Sequence, residues 1–216
     1  MAVLVVLAVA VAAYLLGSIP TGFLVAKGLK GIDIREHGSG TTGATNVLRT
    51  VGKGAAIAVL LIDLLKGLIA VLLVTATMPL LLSTDLGITA PWQPWLEVLA
   101  GLMALVGHSR SIWINFTGGK SAASGLGVVL ALSWPVALGA IAIFALVLAL
   151  SRIVSLGSMA GAIAILLLMI ITGQPLAYIL LAVAGGGYVI LRHRANIKRI
   201  LAGQEPRLGG ASSHPQ

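Results

Sequence analysis

The sequence predicts an all-α integral membrane protein, a polytopic bundle of about seven transmembrane helices. Of its 216 residues, 58% are hydrophobic and 9% are charged, and the mean hydropathy is +1.07. Soluble domains carry about 25% charged residues, so this chain lacks the polar surface of a soluble protein. Several segments also approach the roughly 20 apolar residues that a membrane-spanning helix needs. Helices are favoured because an open sheet would leave backbone groups unpaired in lipid.

The candidate spans follow one another along the chain at 2–26, 55–78, 95–107, 122–150, 153–172 and 176–191. The first span has no charged residue before Lys27, so it lacks the basic start of a signal peptide and we expect it to be retained. The fourth is long enough for one helix, but Ser133-Trp134-Pro135 predicts a break. Proline removes a backbone donor and clashes with the preceding turn. Two helices in this stretch bring the count to seven.

Basic residues predict the orientation of the bundle. They gather in the segments 27–53, 110–120 and 192–207, whereas the segment 79–97 has two acidic residues and no lysine or arginine. The positive-inside rule places the basic segments in the cytoplasm, with the N-terminus outside and the C-terminus cytoplasmic. This distribution explains much of the net charge of +8, so nucleic acid is not expected as a partner. We expect one domain over 1–210 and a disordered tail over 211–216.

The loop GSGTTGATN contains no residue larger than asparagine. Glycines let backbone N–H groups point at an anion, and such a nest binds phosphate. Arg49 follows Asn46 at helical spacing and is suited to a bidentate contact with phosphate or carboxylate. The alternative is a flexible connector between helices. The candidate phosphate ligands in the loop are Gly38, Ser39, Gly40, Thr41, Gly43, Thr45 and Asn46.

A second loop ends in Gly118-Gly119-Lys120-Ser121. The nucleotide-binding P-loop needs a glycine where this chain has Ile114, so ATP is not expected. Lys120 remains a point charge suited to a phosphate. Its alternative is an interfacial lysine whose ammonium reaches the lipid headgroups.

The tail RHRANIKRILAGQEPRLGG is basic and amphipathic, which is typical of a segment that contacts anionic membrane lipid. His193 and Asn196 share a helix face. His193 is a candidate base, a phosphate ligand or an ordinary interfacial residue.

In the second span, Asp63 and Lys66 are three residues apart, and charged residues inside a membrane are functional by default. We favour a self-neutralising structural pair over direct catalysis for these two.

Common catalytic signatures are absent from the sequence. There is no cysteine, no G-x-S-x-G elbow and no histidine followed five positions later by aspartate. Neither a covalent intermediate, a metal nor a cofactor is indicated. A cationic pocket beside lipid suits a reaction whose substrates carry phosphate, and the competing class is a small transporter of phosphate-bearing anions.

Six motifs in this order resemble the bacterial acyl-phosphate:glycerol-3-phosphate acyltransferases, the PlsY family: LGSIPTGFLVAK, GSGTTGATNVLR, LIDLLKG, GHSRSIWINFTGGKSAASG, RIVSLGSMAG and RHRANIKRILAGQE. The resemblance covers about residues 14–207. It implies a seven-helix enzyme of the bacterial cytoplasmic (inner) membrane with its active site on the cytoplasmic side. Such an enzyme transfers a fatty acyl group from acyl phosphate to glycerol 3-phosphate. The products are lysophosphatidic acid and inorganic phosphate, in the first acylation of phospholipid biosynthesis.

The resemblance also implies the site residues. Its catalytic set falls on Ser39, Arg49, Lys120, His193 and Asn196. It also implies Ser155 as a substrate ligand. The chemistry of the two loops supplies the rest of the predicted substrate-binding set: Gly38, Gly40, Thr41, Gly43, Thr45, Asn46, Gly118, Gly119 and Ser121. No protein nucleophile is expected, because acyl phosphate is a mixed anhydride with a good leaving group. The donor's own phosphate can take the hydroxyl proton, and His193 as general base is the alternative. A soluble acyl-phosphate-forming enzyme is a possible docking partner.

Three positions differ from the usual pattern of the family. Thr41 replaces an asparagine, Ser111 a proline and Ser121 a glycine. Thr41 and Ser121 can still donate hydrogen bonds, so these differences bear on the detailed geometry more than on the activity.

Overall fold

The computed structural model describes residues 1–209, and over this range the regular structure is helical. Its α-helices are α1 (Ala2–Ser18), α2 (Thr21–Lys30), α3 (Ala44–Thr50), α4 (Lys53–Leu82), α5 (Gln93–Ser109), α6 (Ala122–Leu132), α7 (Trp134–Ser151), α8 (Val154–Ile171), α9 (Leu176–Arg192) and α10 (Arg194–Leu201). Short 3-10 turns precede α3, α5 and α6. The tail predicted to be disordered, 211–216, lies outside the described residues.

Four segments within the described range are long and apolar enough to cross a membrane: Ala2–Lys30, Lys53–Leu82, Trp134–Ser151 and Val154–Ile171. A fifth results if α9 and α10, which meet at a bend of 58°, form one span. The helix α6 is apolar but has 11 residues, a length of roughly 16 Å at 1.5 Å per residue. These spans support the prediction of an all-helical integral membrane protein. The count of seven crossings and the orientation stay predictions.

The predicted break in the fourth span is confirmed. The helix α6 ends at Leu132, Ser133 is extended with φ −158° and ψ 92°, and α7 begins at Trp134 with proline in its first turn. A second break, between α1 and α2, was not predicted. It lies at Ile19 and Pro20, where proline again removes a backbone donor.

Glycines let the membrane helices approach one another closely, as is common where helices pack in lipid. A methyl group on Gly17 of α1 would lie 2.3 Å from the carbonyl oxygen of Ala104 on α5. On Gly127 of α6 it would lie 1.9 Å from the carbonyl oxygen of Leu64 on α4. Any larger residue at these positions would push α5 or α6 away from its neighbour.

Large apolar side chains cover the outside of the bundle. Leu150 is 80% exposed and Ile171 is 77% exposed. Lipid is the environment in which so much apolar surface is stable, since water would penalise it by about 25 cal/mol per Å².

Glu97 is a buried carboxylate on α5 that is satisfied by its neighbours. Thr75 Oγ1 and Gln93 Nε2 donate to Glu97 Oε1 at 2.7 and 2.9 Å, and the Tyr178 hydroxyl donates to Oε2. This cluster ties α4, α5 and α9 together. Because three donors compensate the loss of water, the carboxylate can be buried without an ion partner.

Candidate active site

Asn46 gives the loop 38–46 its shape. Its side-chain oxygen accepts a hydrogen bond from the backbone N–H of Ser39 at 3.0 Å. Its amide nitrogen faces the backbone carbonyls of Ile34, His37 and Thr41 at 2.9–3.2 Å. The side chain is 1% exposed, so the polar atoms of Asn46 are already used within the loop. Asn46 thereby arranges Ser39 and Thr41, and its substrate-binding role stays a prediction.

The glycines at 38 and 40 are required by backbone conformation. Both have positive φ, at 58° and 68°, where a side chain is strained. A methyl group on Gly38 would also lie 2.2 Å from Asn46 Oδ1. The side chains of the same loop meet each other, since Ser39 Oγ and Thr41 Oγ1 are 3.0 Å apart.

The Gly118-Gly119 turn is held on several sides. The backbone N–H of Gly119 donates to the carbonyl oxygen of His108 at 3.2 Å. Arg192 Nη2 donates to the carbonyl oxygen of Gly119 at 3.2 Å. Ser121, with φ 63°, then begins α6 and donates its hydroxyl to the carbonyl oxygen of Leu105 at 2.7 Å. The backbone around Lys120 is therefore fixed from both ends.

Lys120 belongs to a hydrogen-bonded network with the tail. Its Nζ donates to Asn196 Oδ1 at 2.7 Å, and Asn196 Nδ2 donates to Glu205 Oε1 at 2.6 Å. The Ser155 hydroxyl donates to the same oxygen at 2.7 Å, and Arg199 Nε donates to Glu205 Oε2 at 2.7 Å. Glu205 thus joins α8, α10 and the loop before α6 in one cluster.

The electrostatics of this network shift two pKa values. Burial lowers the pKa of Lys120 to about 8, and the nearby charges of Arg199, Arg49 and Arg192 add to this effect against the attraction of Glu205. Burial would raise the pKa of Glu205, but hydrogen bonds from Asn196, Ser155 and Arg199 outweigh it, so its pKa is lowered. Near neutral pH this network therefore holds the Lys120 ammonium, the Arg199 guanidinium and the Glu205 carboxylate, with the charges of Arg49 and Arg192 nearby.

The geometry defines the tautomer of His193. Its Nδ1 lies 2.8 Å from the carbonyl oxygen of Val189. A carbonyl only accepts hydrogen bonds, so Nδ1 carries the proton. The free lone pair of the neutral ring is then on Nε2. His193 lines a cavity among the helices, which places an imidazole with one basic nitrogen at the cavity wall.

A cavity of about 420 Å³ brings most of the predicted site residues together. The predicted residues that line it are Ser39, Thr41, Gly43, Thr45, Asn46, Arg49, Lys120, Ser121, Ser155, His193 and Asn196. Gly38, Gly40, Gly118 and Gly119 do not belong to the described lining. Methyl groups on Gly118 and Gly119 would lie 2.2 and 2.0 Å from atoms of His108, so these two glycines permit close packing behind the turn.

The rest of the cavity is apolar and runs between membrane helices. Its walls come mainly from α6, α7, α8 and α9, including Leu126, Ile141, Phe144, Ile165 and Val189. Gly161, Gly185 and Gly186 also line it, and their missing side chains leave space. A methyl group on Gly157 would lie 3.0 Å from Phe144 Cδ2, so that glycine serves helix packing.

Sequence reasoning missed Glu205, Arg192 and His108 as parts of the site. Glu205 and His108 line the cavity, and Arg192 braces the turn before Lys120. A single carboxylate in an otherwise basic tail was the signal for Glu205. His108 shares its motif with Lys120, but its place behind Gly119 depends on how α5 meets the turn.

Glycerol-3-phosphate acyltransferases match most of the length of the chain. The family model described as Glycerol-3-phosphate acyltransferase matches residues 7–203. A glycerol-3-phosphate acyltransferase of Trichormus variabilis is 57% identical over 207 residues, covering 94% of this chain and 91% of the relative. Glycerol-3-phosphate acyltransferase 2 of Rhizobium johnstonii is 55% identical over 207 residues, covering 91% of this chain and 93% of the relative.

The fold is also similar to a solved structure. The crystal structure of PlsY (YgiH), an integral membrane glycerol 3-phosphate acyltransferase, in its glycerol 3-phosphate form has a TM-score of 0.83 and 37% sequence identity. The match covers 94% of this chain and 96% of that chain. With relatives that are more than half identical and a family model that spans most of its length, the chain belongs to the glycerol-3-phosphate acyltransferase family, known structurally as PlsY.

Proposed function

We propose that this chain transfers a fatty acyl group from acyl phosphate to glycerol 3-phosphate. The products are lysophosphatidic acid and inorganic phosphate, and the reaction is the first acylation of phospholipid biosynthesis. The observation that carries the proposal is the single cavity that joins a cationic, hydroxyl-bearing end to an apolar space between membrane helices. Phosphate groups suit the first part, and a fatty acyl chain suits the second.

The chemistry needs no protein nucleophile. Acyl phosphate is a mixed anhydride, so the glycerol hydroxyl can attack the acyl carbonyl directly. The carbon–oxygen bond to phosphate breaks, and the leaving phosphate takes the hydroxyl proton. Much of the rate enhancement then comes from holding the glycerol hydroxyl close to the acyl carbonyl in the correct orientation. His193 Nε2 is the alternative base, since its lone pair is free when the ring is neutral.

Arg49 and Lys120 are the proposed phosphate ligands. Two phosphate-bearing reactants repel each other strongly in a low dielectric, and these cations oppose that repulsion. Ser39 and the backbone N–H groups of its loop add donors. Asn196 is proposed to orient the Lys120 ammonium through their 2.7 Å hydrogen bond.

The proposed topology has seven crossings with the site on the cytoplasmic face of the bacterial inner membrane. The basic segments 27–53, 110–120 and 192–207 support this orientation. A donor formed by a soluble enzyme would arrive at the same face, so docking of such an enzyme there is part of the proposal. A reporter that is active only in the cytoplasm should be active when attached after residue 209. It would be silent if the orientation were reversed.

Purified protein in detergent tests the function without a membrane gradient. Acyl phosphate and glycerol 3-phosphate should together yield lysophosphatidic acid and inorganic phosphate in equal amounts. Omitting either substrate should abolish lysophosphatidic acid formation. A transporter would produce no lysophosphatidic acid under these conditions, and that result would overturn the proposal.

The pH profile should show the charge on Lys120. Its pKa is lowered to about 8, so the ammonium loses its proton as pH rises through this value. We expect kcat/KM, which reports the free enzyme, to fall above about pH 8. Lys120→Arg keeps a permanent charge, so the basic limb should move to higher pH whatever the absolute rate. An unmoved basic limb in this variant would assign the titration to another group.

Thr41→Asn should be tolerated. The loop is held by the backbone carbonyl of Thr41, which faces Asn46 Nδ2 at 2.9 Å. Asparagine keeps that carbonyl and supplies its own donor, so kcat/KM should stay within about a factor of three. The matched control is Asn46→Ala, which removes the residue that shapes the loop and should be far more damaging. Complete loss of turnover in Thr41→Asn would show that the threonine side chain is itself required.

A further inference from the structure

Asp63 and Lys66 form an ion pair inside the bundle. Lys66 Nζ is 2.8 Å from Asp63 Oδ1, and the two residues are 3% and 2% exposed. Lys66 Nζ also donates to the carbonyl oxygen of Ile19 at 3.0 Å. Ile19 lies at the break between α1 and α2, so the pair fastens α4 to that break.

His108 connects the pair to the Gly118-Gly119 turn. Its Nδ1 is 3.5 Å from Asp63 Oδ1, a polar contact longer than a hydrogen bond. The opposite edge of the ring packs against Gly119, where a methyl group would lie 2.0 Å from His108 Nε2. The carbonyl oxygen of His108 accepts the Gly119 N–H. One residue thus contacts Asp63 with its ring and supports Gly119 with its ring and backbone.

We propose that Asp63, Lys66 and His108 form a positioning relay that fixes the Gly118-Gly119 turn and thereby the ammonium of Lys120. The inference rests on the proposed function and deepens it. None of the three is proposed to touch the reacting atoms. Asp63 sets the orientation of the His108 ring, and Lys66 sets that of Asp63.

A pair that served only to neutralise itself would need neither His108 nor the Ile19 carbonyl. A buried ion pair is also poor evidence for stability, because apolar residues of similar volume often stabilise a protein as well or better. The charges of Asp63 and Lys66 are therefore better explained by their contacts with His108 and the Ile19 carbonyl, which these charges orient. Small displacements of a substrate ligand matter, since a misplacement of about 1 Å can cost roughly 10²-fold in rate.

The test replaces both charges together with Asp63→Asn/Lys66→Met, which leaves no unpaired charge in the bundle. We expect kcat/KM to fall about 10²-fold in this double variant. The matched control is Glu97→Gln, which alters another buried and hydrogen-bonded carboxylate and should keep wild-type turnover. Wild-type turnover in the double variant would overturn the relay.

A double-mutant cycle with Lys120→Met separates positioning from general damage. If the relay acts through Lys120, adding Asp63→Asn/Lys66→Met to Lys120→Met should cost less than about threefold. A further fall of about 10²-fold in kcat/KM, when the double substitution is added to Lys120→Met, would overturn the inference. If the double variant does not purify as a monodisperse protein, the cycle uses His108→Asn, which keeps a donor toward Asp63 but removes the ring behind Gly119. Absence of acyl transfer by the wild type would instead refute the proposed function, so the two failures are distinguishable.

Discussion

Lys120→Met is expected to lower kcat/KM by at least about 10²-fold, the usual cost of removing one preorganised electrostatic donor. Methionine keeps the length of the side chain and removes its charge. The ammonium lies in a cavity wall and donates to Asn196 Oδ1, so it is held in place before substrate arrives. A preorganised cation at a developing phosphate charge costs no reorganisation during the reaction.

The measurement is the initial rate of phosphate release at varied glycerol 3-phosphate, with folding checked by thermal unfolding in detergent. Lys198→Met is the matched control, because Lys198 is an exposed lysine of α10 and should be replaceable at little cost. Ser39→Ala and Arg49→Ala are expected to impair turnover in the same direction as Lys120→Met. Wild-type rates in a folded Lys120→Met protein would remove Lys120 from the proposed site.

Glu205→Ala is expected to lower the free energy of unfolding by about 2–4 kcal/mol, since orphaned buried donors cost about 1–3 kcal/mol each. Asn196 Nδ2 and Ser155 Oγ would both lose their acceptor. The side chain of Arg199 is 36% exposed, so it would recover much of its hydration. Activity should fall as well, because Asn196 would lose the Glu205 contact that holds it in hydrogen-bond distance of Lys120 Nζ.

Thermal unfolding in detergent at several pH values tests the role of Glu205. Its pKa is lowered in the folded protein, so its contribution is present above the unfolded pKa and lost as pH falls through the folded pKa. Glu205→Gln should therefore weaken the acid sensitivity of the wild type. Arg199→Ala should cost less than Glu205→Ala, because it leaves the carboxylate with two donors. Equal stability of Glu205→Ala and wild type would contradict a stabilising role for the network around Glu205.

The spans and the break at Ser133–Pro135 were predictable because hydropathy and proline act locally. Pro20 offered the same local signal at the break between α1 and α2, but the apolar residues around it favoured one continuous helix. The role of the loop glycines as phosphate ligands stays a prediction, and the structure adds that Gly38 and Gly119 pack closely against Asn46 and His108. Sequence spacing does not reveal which glycine faces a ligand and which faces a neighbouring side chain.

Long-range contacts account for what the sequence did not predict. Ser155 and Glu205 are 50 positions apart, and Asp63 meets His108 across two helices. Neither contact follows from periodicity, because each depends on how separate helices pack. Most of the predicted site residues nevertheless line one cavity, and their role in catalysis stays a prediction.

The position of Glu205 has a consequence for biogenesis. It follows every helix that the structure describes in residues 1–209, yet it anchors Asn196 and Ser155 beside the cavity. A nascent chain cannot assemble this pocket until translation has passed residue 205 and α9 has been inserted. An epitope tag should accordingly be fused beyond residue 209, where it leaves these contacts intact.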